Sequence, residues 1–127
     1  MVGVVIVSHS KTLAEGVLEF CRVMAAEAPL VAAGGMEDGS FGTSFEKIKA
    51  AVESVNQGEG VLVLMDVGSA VMTTEMVLED IADDSVQMVD CPLVEGAIAA
   101  AVAAEGGLDF ESVKAEALSA WDARKLS

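Results

Sequence analysis

Two uninterrupted apolar runs constrain the fold of this chain more than any other feature. The first is VGVVIV at residues 2–7, and the second is GVLVLM at residues 60–65. Apolar side chains at consecutive positions are typical of a strand that is covered on both faces, as strands of a parallel sheet are. Both runs therefore predict buried parallel strands.

Helical patterns follow both runs. After the first run, apolar residues recur at the spacing of one helix face: Leu13, Val17, Phe20, Cys21 and Met24. After the second run, the segment DVGSA at residues 66–70 leads into a helix that contains Met72, Met76 and Val77. Each buried strand is thus followed by a helix.

A second strand and a second helix are predicted between these two units. PLVAA at residues 29–33 predicts the strand, and the loop at residues 34–42 contains four glycines, which permit unusual backbone angles. Thr43 is predicted to begin the helix, because Glu46 three residues later completes a capping box. The predicted buried stripe of this helix is Phe45, Ile48, Val52 and Val55.

The last third of the chain predicts one more strand and two helices. VQMV at residues 86–89 is the strand, and an alanine-rich helix begins at Pro92 and ends at Gly106 and Gly107. Asp109 is expected to cap a final helix, whose predicted inner face is Phe110, Val113, Ala117, Leu118 and Trp121.

The alternation of strand and helix predicts an α/β fold with an open, mainly parallel sheet and helices on both faces. The predicted strand order is 2-1-3-4, and residues 1–127 are expected to form a single domain. In such a sheet, ligands bind beyond the carboxyl ends of the strands, at the point where successive connections turn to opposite faces.

Composition and charge exclude several functions. The formal net charge is -14, from 21 acidic and 7 basic residues, so we expect no nucleic-acid partner. One histidine and two distant cysteines supply no ligand pair at zinc spacing, and we expect no bound metal. Cys21 and Cys91 lie in apolar patterns and are expected to be buried hydrophobic residues. No stretch suits a bilayer or a secretory signal, so we expect a cytoplasmic protein without membrane contact.

The predicted sheet order brings His9 and Asp66 together. His9 follows the first strand and Asp66 follows the third, and adjacent strands lie about 4.8 Å apart. A carboxylate on one ring nitrogen fixes the tautomer and leaves a lone pair on the other, which suits a nucleophilic histidine. Around them, the beginnings of two predicted helices favour a phosphate group, with these residues beside it: Ser8, Ser10, Gly68 and Ser69. Lys11 is the nearest basic residue along the chain.

Other interpretations of these residues remain. His9 can be a hydrogen-bonded structural residue, and Asp66 and Ser69 can simply cap a helix, in which case the chain is a non-catalytic regulatory or dimerisation module. A receiver domain requires paired acids after the first strand, a serine hydrolase requires a GxSxG motif, and a flavin site requires aromatic walls. The sequence has none of these three features. A phosphohistidine site is the interpretation that fits best.

Three separated motifs resemble one known family. VVIVSHSKTLAEGV at residues 4–17, VLVLMDVGSA at residues 61–70 and PLVEGAIAAAVAA at residues 92–104 are similar to the phosphotransfer subunits of phosphotransferase-system-dependent dihydroxyacetone kinases. That family has the mannose-type enzyme IIA fold, and the similarity extends over nearly the whole chain. Sugar-specific enzyme IIA units of mannose-class transporters carry different residues after the third strand, and they are the alternative.

The resemblance implies roles for individual residues. His9 corresponds to the histidine that is phosphorylated, and Asp66 to the carboxylate that orients it. Gly68 and Ser69 correspond to the segment beside the phosphate. The residues that the resemblance makes candidates for the crevice or an interface are Lys11, Thr43 and Glu95.

The resemblance also implies the partners. The phosphoryl group would come from the histidine phosphocarrier protein, acting in trans, and would pass to ADP on the nucleotide-binding subunit of the kinase. This chain itself would bind no cofactor, because ADP, ATP and magnesium would lie on that partner subunit. A homodimer is expected from the family.

Overall fold

The computed structural model describes residues 1–126. Within this range, the chain forms four strands, five helices and a 3₁₀ turn, in the following order. They are β1 (Gly3–Ser8), α1 (Lys11–Met24), β2 (Leu30–Gly34), α2 (Phe45–Val55), β3 (Val61–Met65), α3 (Ser69–Ile81), β4 (Val86–Met88), α4 (Leu93–Glu105), α5 (Phe110–Leu118) and the 3₁₀ turn Ser119–Asp122. None of the helices formed by these residues combines the length and the apolar character that a bilayer crossing requires.

The four strands form one sheet in the order β2-β1-β3-β4, and every neighbouring pair is parallel. The predicted α/β class and strand order are therefore confirmed. β1 lies between β2 and β3, so that Val7 is opposite Met65 on one side and Ala33 on the other. All six residues of β1 are buried, and those that belong to the uninterrupted apolar run, residues 3–7, are buried as the run predicts.

Helices cover both faces of the sheet. Alternate side chains of β1 and β3 point to one face, where they join the cluster that includes α1, α4 and α5: Val4, Ile6, Leu62 and Leu64. The intervening side chains point to the other face, where they meet α2 and α3: Val5, Val7, Val61, Val63 and Met65. The connections to β2 and to β3 thus lie on opposite faces, as right-handed crossovers require when the chain reverses its direction along the sheet.

The predicted buried stripe of α1 is partly wrong. Leu13, Phe20 and Met24 are 44%, 53% and 60% exposed, although Val17 and Cys21 are buried as predicted. The buried row instead contains Ala14, which occupies the side of the helix toward the sheet. The exposed apolar residues of α1 lie outside the core cluster to which Ala14, Val17 and Cys21 belong.

The predicted start of α2 is wrong by one residue. Ser44, and not Thr43, is the N-cap, because its hydroxyl oxygen accepts a hydrogen bond from the backbone N–H of Lys47 at 3.2 Å. No capping box with Glu46 forms, since Glu46 is then only two positions beyond the cap. Thr43 instead hydrogen-bonds Thr73 of α3 through its hydroxyl group, at 2.9 Å.

The predicted inner face of the last helix is also partly wrong. Asp109 caps α5 as predicted, and Val113 and Ala117 are buried. Leu118 and Trp121 are 40% and 60% exposed, because α5 ends at Leu118 and the 3₁₀ turn that follows changes the direction of the stripe. The indole N–H of Trp121 donates to the backbone carbonyl of Asp90 at 2.8 Å.

Cys21 and Cys91 are buried free thiols, as predicted. Burial is the main cause that raises the pKa of each thiol to about 11; the charge of Arg22 opposes it at Cys21, and the charge of Asp90 reinforces it at Cys91. Both side chains belong to the cluster between the sheet and α1, α4 and α5.

Gly34 allows the end of β2 to approach the beginning of α1. A Cβ atom at this position would lie 2.7 Å from the Cβ of Ala14 and 2.7 Å from the carbonyl oxygen of Ser10. Gly34 is also the partner of Ser8 in the parallel ladder. The absence of a side chain here therefore fixes how closely α1 lies against the sheet next to His9.

We expect Gly34→Ala to lower the free energy of unfolding by about 1–3 kcal/mol, because the new methyl group overpacks this contact. Urea denaturation measures the change. The matched control is Gly16→Ala in α1, where a Cβ would meet nothing within 4 Å. That change should raise the free energy of unfolding by about 1 kcal/mol, since alanine is the better helix former. Equal effects of the two substitutions would contradict the role of Gly34.

Candidate functional site

The candidate site lies at the carboxyl ends of the two central strands. His9 follows β1 and Asp66 follows β3, which are neighbours in the sheet. The backbone N–H of Asp66 donates to the carbonyl of Val7 at 3.1 Å and so continues the ladder by one residue. From this point α1 and α3 leave toward opposite faces, which creates the crevice that the sequence predicts.

The structure joins His9 and Asp66 by two hydrogen bonds. Ring nitrogen Nδ1 of His9 lies 2.9 Å from Oδ1 of Asp66, and the backbone N–H of His9 donates to Oδ2 at 3.0 Å. An ionised carboxylate can only accept hydrogen bonds, so in the neutral ring the proton sits on Nδ1 and the lone pair sits on Nε2. The predicted pairing of the two side chains is present in the structure.

Asp66 receives four hydrogen bonds from the residues that the structure describes. Besides the two from His9, Oδ2 accepts from the hydroxyl of Ser8 at 2.8 Å, and Oδ1 accepts from the backbone N–H of Val67 at 2.7 Å. Burial by itself would raise the pKa of Asp66. Four hydrogen bonds outweigh this effect, so the pKa of Asp66 lies below its ordinary value. In order of effect, they come from the backbone N–H of His9, the Ser8 hydroxyl, the backbone N–H of Val67 and the His9 ring. The carboxylate is therefore ionised at neutral pH.

Nitrogen Nε2 of His9 faces the beginning of α3. The hydroxyl oxygen of Ser69 lies 2.7 Å from Nε2, and it donates its proton when Nδ1 carries the ring proton. The His9 side chain is 28% exposed, so an approaching group can reach the ring on this side.

The beginning of α3 suits an anion. Gly68 occupies the N-cap with a φ of +54°, a left-handed value that glycine adopts without strain, and no side chain caps this helix. Among the described residues, the backbone N–H groups of Gly68 and Ser69 have no hydrogen-bond acceptor. Unpaired N–H groups and the positive end of the helix dipole therefore lie beside Nε2.

The structure places the other predicted residues less directly. Ser10 is the N-cap of α1, and its hydroxyl oxygen accepts from the backbone N–H of Leu13 at 3.1 Å. Lys11 is exposed at the first position of α1. Thr43 lies near the crevice, because its neighbour Gly42 donates a backbone N–H to the carbonyl of His9 at 3.0 Å.

Glu95 has a different environment. Its carboxylate accepts from the ammonium group of Lys125 at 2.6 Å. This hydrogen bond holds the pKa of Glu95 below its ordinary value, and Glu95 has no hydrogen bond to His9, Asp66 or Ser69 within residues 1–126. A role for Glu95 in the crevice receives no support from these contacts.

Two contacts of the site were not predicted. The loop at residues 34–42 reaches His9 through the N–H of Gly42, and Thr73 of α3 fixes the neighbouring Thr43. Glycine content indicated that this loop has unusual backbone angles, and Gly42 has a φ of +145°. Its contact with His9 spans more than thirty residues of chain, and no local pattern encodes such a contact.

This geometry agrees with comparisons to known proteins. The model of the EIIA-man family, described as PTS system fructose IIA component, matches residues 3–114. A crystal structure of EF1359, a protein of unknown function, superposes with a TM-score of 0.82 at 32% identity and covers 99% of this chain and 98% of that one. A sigma-54 interaction domain protein from Enterococcus faecalis shares the fold, with a TM-score of 0.74 at 19% identity over 95% of this chain and 90% of that one.

Curated relatives carry one recurring name. The phosphotransferase subunit DhaM of the PTS-dependent dihydroxyacetone kinase of Lactococcus lactis subsp. lactis (strain IL1403) is 39% identical over 112 residues, which cover 88% of this chain and 89% of that protein. The phosphoryl donor subunit DhaM of the PEP-dependent dihydroxyacetone kinase of Escherichia coli (strain K12) is 40% identical over 132 residues and 98% of this chain. The chain spans only 28% of the length of the Escherichia coli relative.

We expect Asp66→Asn to lower the free energy of unfolding by roughly 1–3 kcal/mol at pH 7, because an amide nitrogen cannot accept the hydrogen bonds that a carboxylate oxygen accepts. The pKa of Asp66 is lower in the folded state than its ordinary value of 3.8. The carboxylate therefore stabilises the fold fully above the unfolded pKa, and this stabilisation is lost as the pH falls through the folded pKa. Urea denaturation should show this difference from wild type at pH 7, and the difference should be smaller at pH 3 than at pH 5.

The control for this prediction is Asp122→Asn, which removes the same charge from an exposed residue in the 3₁₀ turn. It should leave the free energy of unfolding within about 0.5 kcal/mol of wild type. An Asp66→Asn protein as stable as the control at pH 7 would show that the hydrogen bonds accepted by one carboxylate oxygen contribute nothing measurable to stability.

Proposed function

The chain belongs to the EIIA-man family, and from this membership we propose that it carries a phosphoryl group on His9 and serves as the phosphoryl donor subunit of a dihydroxyacetone kinase. Relatives named DhaM, at 39% and 40% identity over 88% and 98% of the chain, support the choice of kinase. His9, Asp66, Gly68 and Ser69 are the residues to which we assign the chemistry.

One observation supports this function above the others. Nδ1 of His9 is occupied by Asp66, while Nε2 points at the uncapped beginning of α3 with the Ser69 hydroxyl 2.7 Å away. The partner of the Nε2 lone pair is the rotatable Ser69 hydroxyl, and beside it the backbone N–H groups of Gly68 and Ser69 have no acceptor among the described residues. A histidine with a purely structural role does not require these unpaired N–H groups. A phosphorylated histidine needs a lone pair for attack and donors for the phosphate oxygens, and this arrangement supplies both.

In the first step that we propose, Nε2 attacks the phosphorus atom of a phosphohistidine on the histidine phosphocarrier protein. The bond from phosphorus to the carrier's nitrogen breaks as the bond to Nε2 forms, and the electron pair of the broken bond returns to the carrier's ring. The His9 ring then bears a positive charge, since Nδ1 keeps its proton. The Asp66 carboxylate at 2.9 Å compensates that charge.

During this transfer the phosphoryl oxygens carry negative charge, and transfer of this kind depends mainly on positioning and on charge stabilisation. The backbone N–H groups of Gly68 and Ser69 and the Ser69 hydroxyl are the donors that we assign to those oxygens. The Ser69 hydroxyl, which bonds Nε2 before the reaction, can turn to a phosphoryl oxygen once the lone pair is used.

In the second step, an oxygen of the β-phosphate of ADP attacks the same phosphorus atom, and the bond to Nε2 breaks. The electron pair returns to Nε2, the ring becomes neutral with its proton still on Nδ1, and ATP forms on the partner. In our proposal, the ADP and its magnesium ion are held by the nucleotide-binding subunit of the kinase, and this chain binds no cofactor. Asp66 therefore holds one ring proton through the whole cycle, and no base is required.

Two partners must reach Nε2 in turn, so His9 has to lie near the surface, and its side-chain exposure of 28% is consistent with that. We also propose a homodimer, as the family implies. The exposed apolar side chains of Leu13, Phe20 and Met24 on α1 provide surface for such a contact.

A second candidate function follows from the description of the family as a PTS system fructose IIA component. In that case the chemistry at His9 is the same, and the acceptor is a sugar-specific IIB protein in place of ADP. The DhaM relatives favour the first function.

We expect the wild-type protein to become labelled when it is incubated with labelled phosphoenolpyruvate, enzyme I and the histidine phosphocarrier protein. The label should be labile in acid and stable in base, as expected of a phosphohistidine. His9→Ala should take up no label, because His9 is the only histidine of the chain. The control Ser54→Ala lacks a hydroxyl that bonds the carbonyl of Ala51 in α2, and it should be labelled normally.

A label that persists in His9→Ala would place the phosphoryl group elsewhere. A wild-type protein that takes up no label would instead support the non-catalytic module.

We expect the phosphorylated protein, freed of its donor, to lose its label to ADP when the nucleotide-binding subunit of a dihydroxyacetone kinase is added with magnesium, because a phosphohistidine has a high transfer potential. Labelled ATP on that subunit is the measured product. The comparison is a IIB protein of a mannose-class transporter, to which the label should not pass. Transfer to the IIB protein without formation of ATP would support the second function and exclude the first.

A further inference from the structure

Ser8 is fully buried at the last position of β1, immediately before His9. Its hydroxyl oxygen lies 2.8 Å from Oδ2 of Asp66 and 3.0 Å from the backbone nitrogen of Ser10. One side chain therefore connects the end of β1, the end of β3 and the beginning of α1. The roles proposed above for His9, Asp66, Gly68 and Ser69 do not use this hydroxyl group.

The direction of both hydrogen bonds follows from the chemistry of the partners. The backbone N–H of Ser10 can only donate, so the Ser8 oxygen accepts from it. The Asp66 carboxylate can only accept, so the Ser8 hydroxyl donates to Oδ2. The two bonds form a chain in which Ser10 donates to Ser8 and Ser8 donates to Asp66, so that each bond polarises the other. Any rotation of the Ser8 hydroxyl breaks at least one of them.

The carboxylate of Asp66 depends on this contact for its orientation. Oδ1 must stay opposite Nδ1 of His9, and rotation about the Cβ–Cγ bond of Asp66 moves it away. Three hydrogen bonds oppose that rotation: the backbone N–H of Val67 donates to Oδ1, and the backbone N–H of His9 and the Ser8 hydroxyl donate to Oδ2. The bond from Ser8 is the one among these three that a side chain supplies. Because Ser8 has no exposed surface, bulk water cannot take the place of its hydroxyl group.

We infer that Ser8 is a positioning residue, whose hydroxyl fixes the Asp66 carboxylate and thereby keeps the His9 proton on Nδ1 and the lone pair on Nε2. The effect of Ser8 on phosphoryl transfer rests on the proposed function. The effect of Ser8 on the His9 tautomer does not rest on the proposed function, because the ring proton is present whether or not the chain is phosphorylated.

The experiment compares Ser8→Ala with wild type in two measurements. The first is the ¹⁵N spectrum of the imidazole ring at a pH where the ring is neutral, which is unambiguous because the chain has one histidine. We expect a proton on Nδ1 in wild type and a mixture of both tautomers in Ser8→Ala. The second is the rate of labelling by the phosphocarrier, which we expect to fall about tenfold, the lower end of the loss seen when a group that orients a metal-ligating histidine is removed.

The matched control is Ser44→Ala. Ser44 is also buried, its hydroxyl donates to the carboxylate of Glu37, and its oxygen accepts a backbone N–H, that of Lys47. The control thus removes the same types of hydrogen bond outside the His9 and Asp66 pair. It should lose stability in urea, as Ser8→Ala does, while the His9 tautomer stays that of wild type.

Ser8→Thr provides the rescue, because it restores a hydroxyl group. It should keep the proton on Nδ1 and label faster than Ser8→Ala. Circular dichroism will show whether the extra methyl group prevents folding. If it does, the comparison of Ser8→Ala with Ser44→Ala decides whether Ser8 is a positioning residue.

A Ser8→Ala protein with the wild-type tautomer and the wild-type labelling rate overturns the inference and leaves the proposed function intact. If the tautomer changes in Ser8→Ala but neither wild type nor any variant is ever labelled, the positioning role of Ser8 is supported and the proposed function is overturned. A tautomer that changes equally in Ser44→Ala overturns the inference, since the effect would then be one of general destabilisation.

Discussion

The parallel pairing of β1 with β3 is the interaction on which the rest of this structure depends. It aligns Val7 with Met65, so that the residues beyond the ladder, His9 and Asp66, emerge at the same edge of the sheet. It also sets the two faces, because the strands on either side are reached by crossovers of opposite direction. The crevice, the helix beginnings that surround it and the hydrogen-bonded pair inside it all follow from this single register.

Within the crevice, one carboxylate connects elements that are distant in sequence. Asp66 accepts from the end of β1, from the ring that follows it and from the backbone that leads into α3. The charge is tolerated because each oxygen has two donors, and the same donors hold the pKa of Asp66 low. Because the carboxylate stays ionised, it can accept the hydrogen bond from Nδ1 of His9 at all times. It can therefore keep the ring in one tautomer while Nε2 reacts.

Much of the fold could be predicted from the sequence, because a strand buried on both faces is recorded as an unbroken apolar run. The residues of the first run and of the run before Asp66 gave the strands, and the polar residues after them gave the edge of the site. The contact of His9 with Asp66 was predictable for the same reason.

The failures share another cause. Leu13 and Phe20 satisfy the helical period, but their exposure depends on how much of α1 the helix beside it covers, and one sequence does not contain that information locally. The choice between Thr43 and Ser44 as N-cap depended on a contact with Thr73, thirty residues away.

The two buried thiols have a consequence for how the molecule can be observed. Only a thiolate reacts quickly, and with a pKa of about 11 and exposures of 1% and 8% both Cys21 and Cys91 react slowly in the closed structure. Both belong to the layer formed by α1, α4 and α5, and none lies between the sheet and α2 and α3. The speed at which a thiol reagent modifies the protein therefore reports how often that one layer opens, and α1, which begins two residues after His9, is part of it.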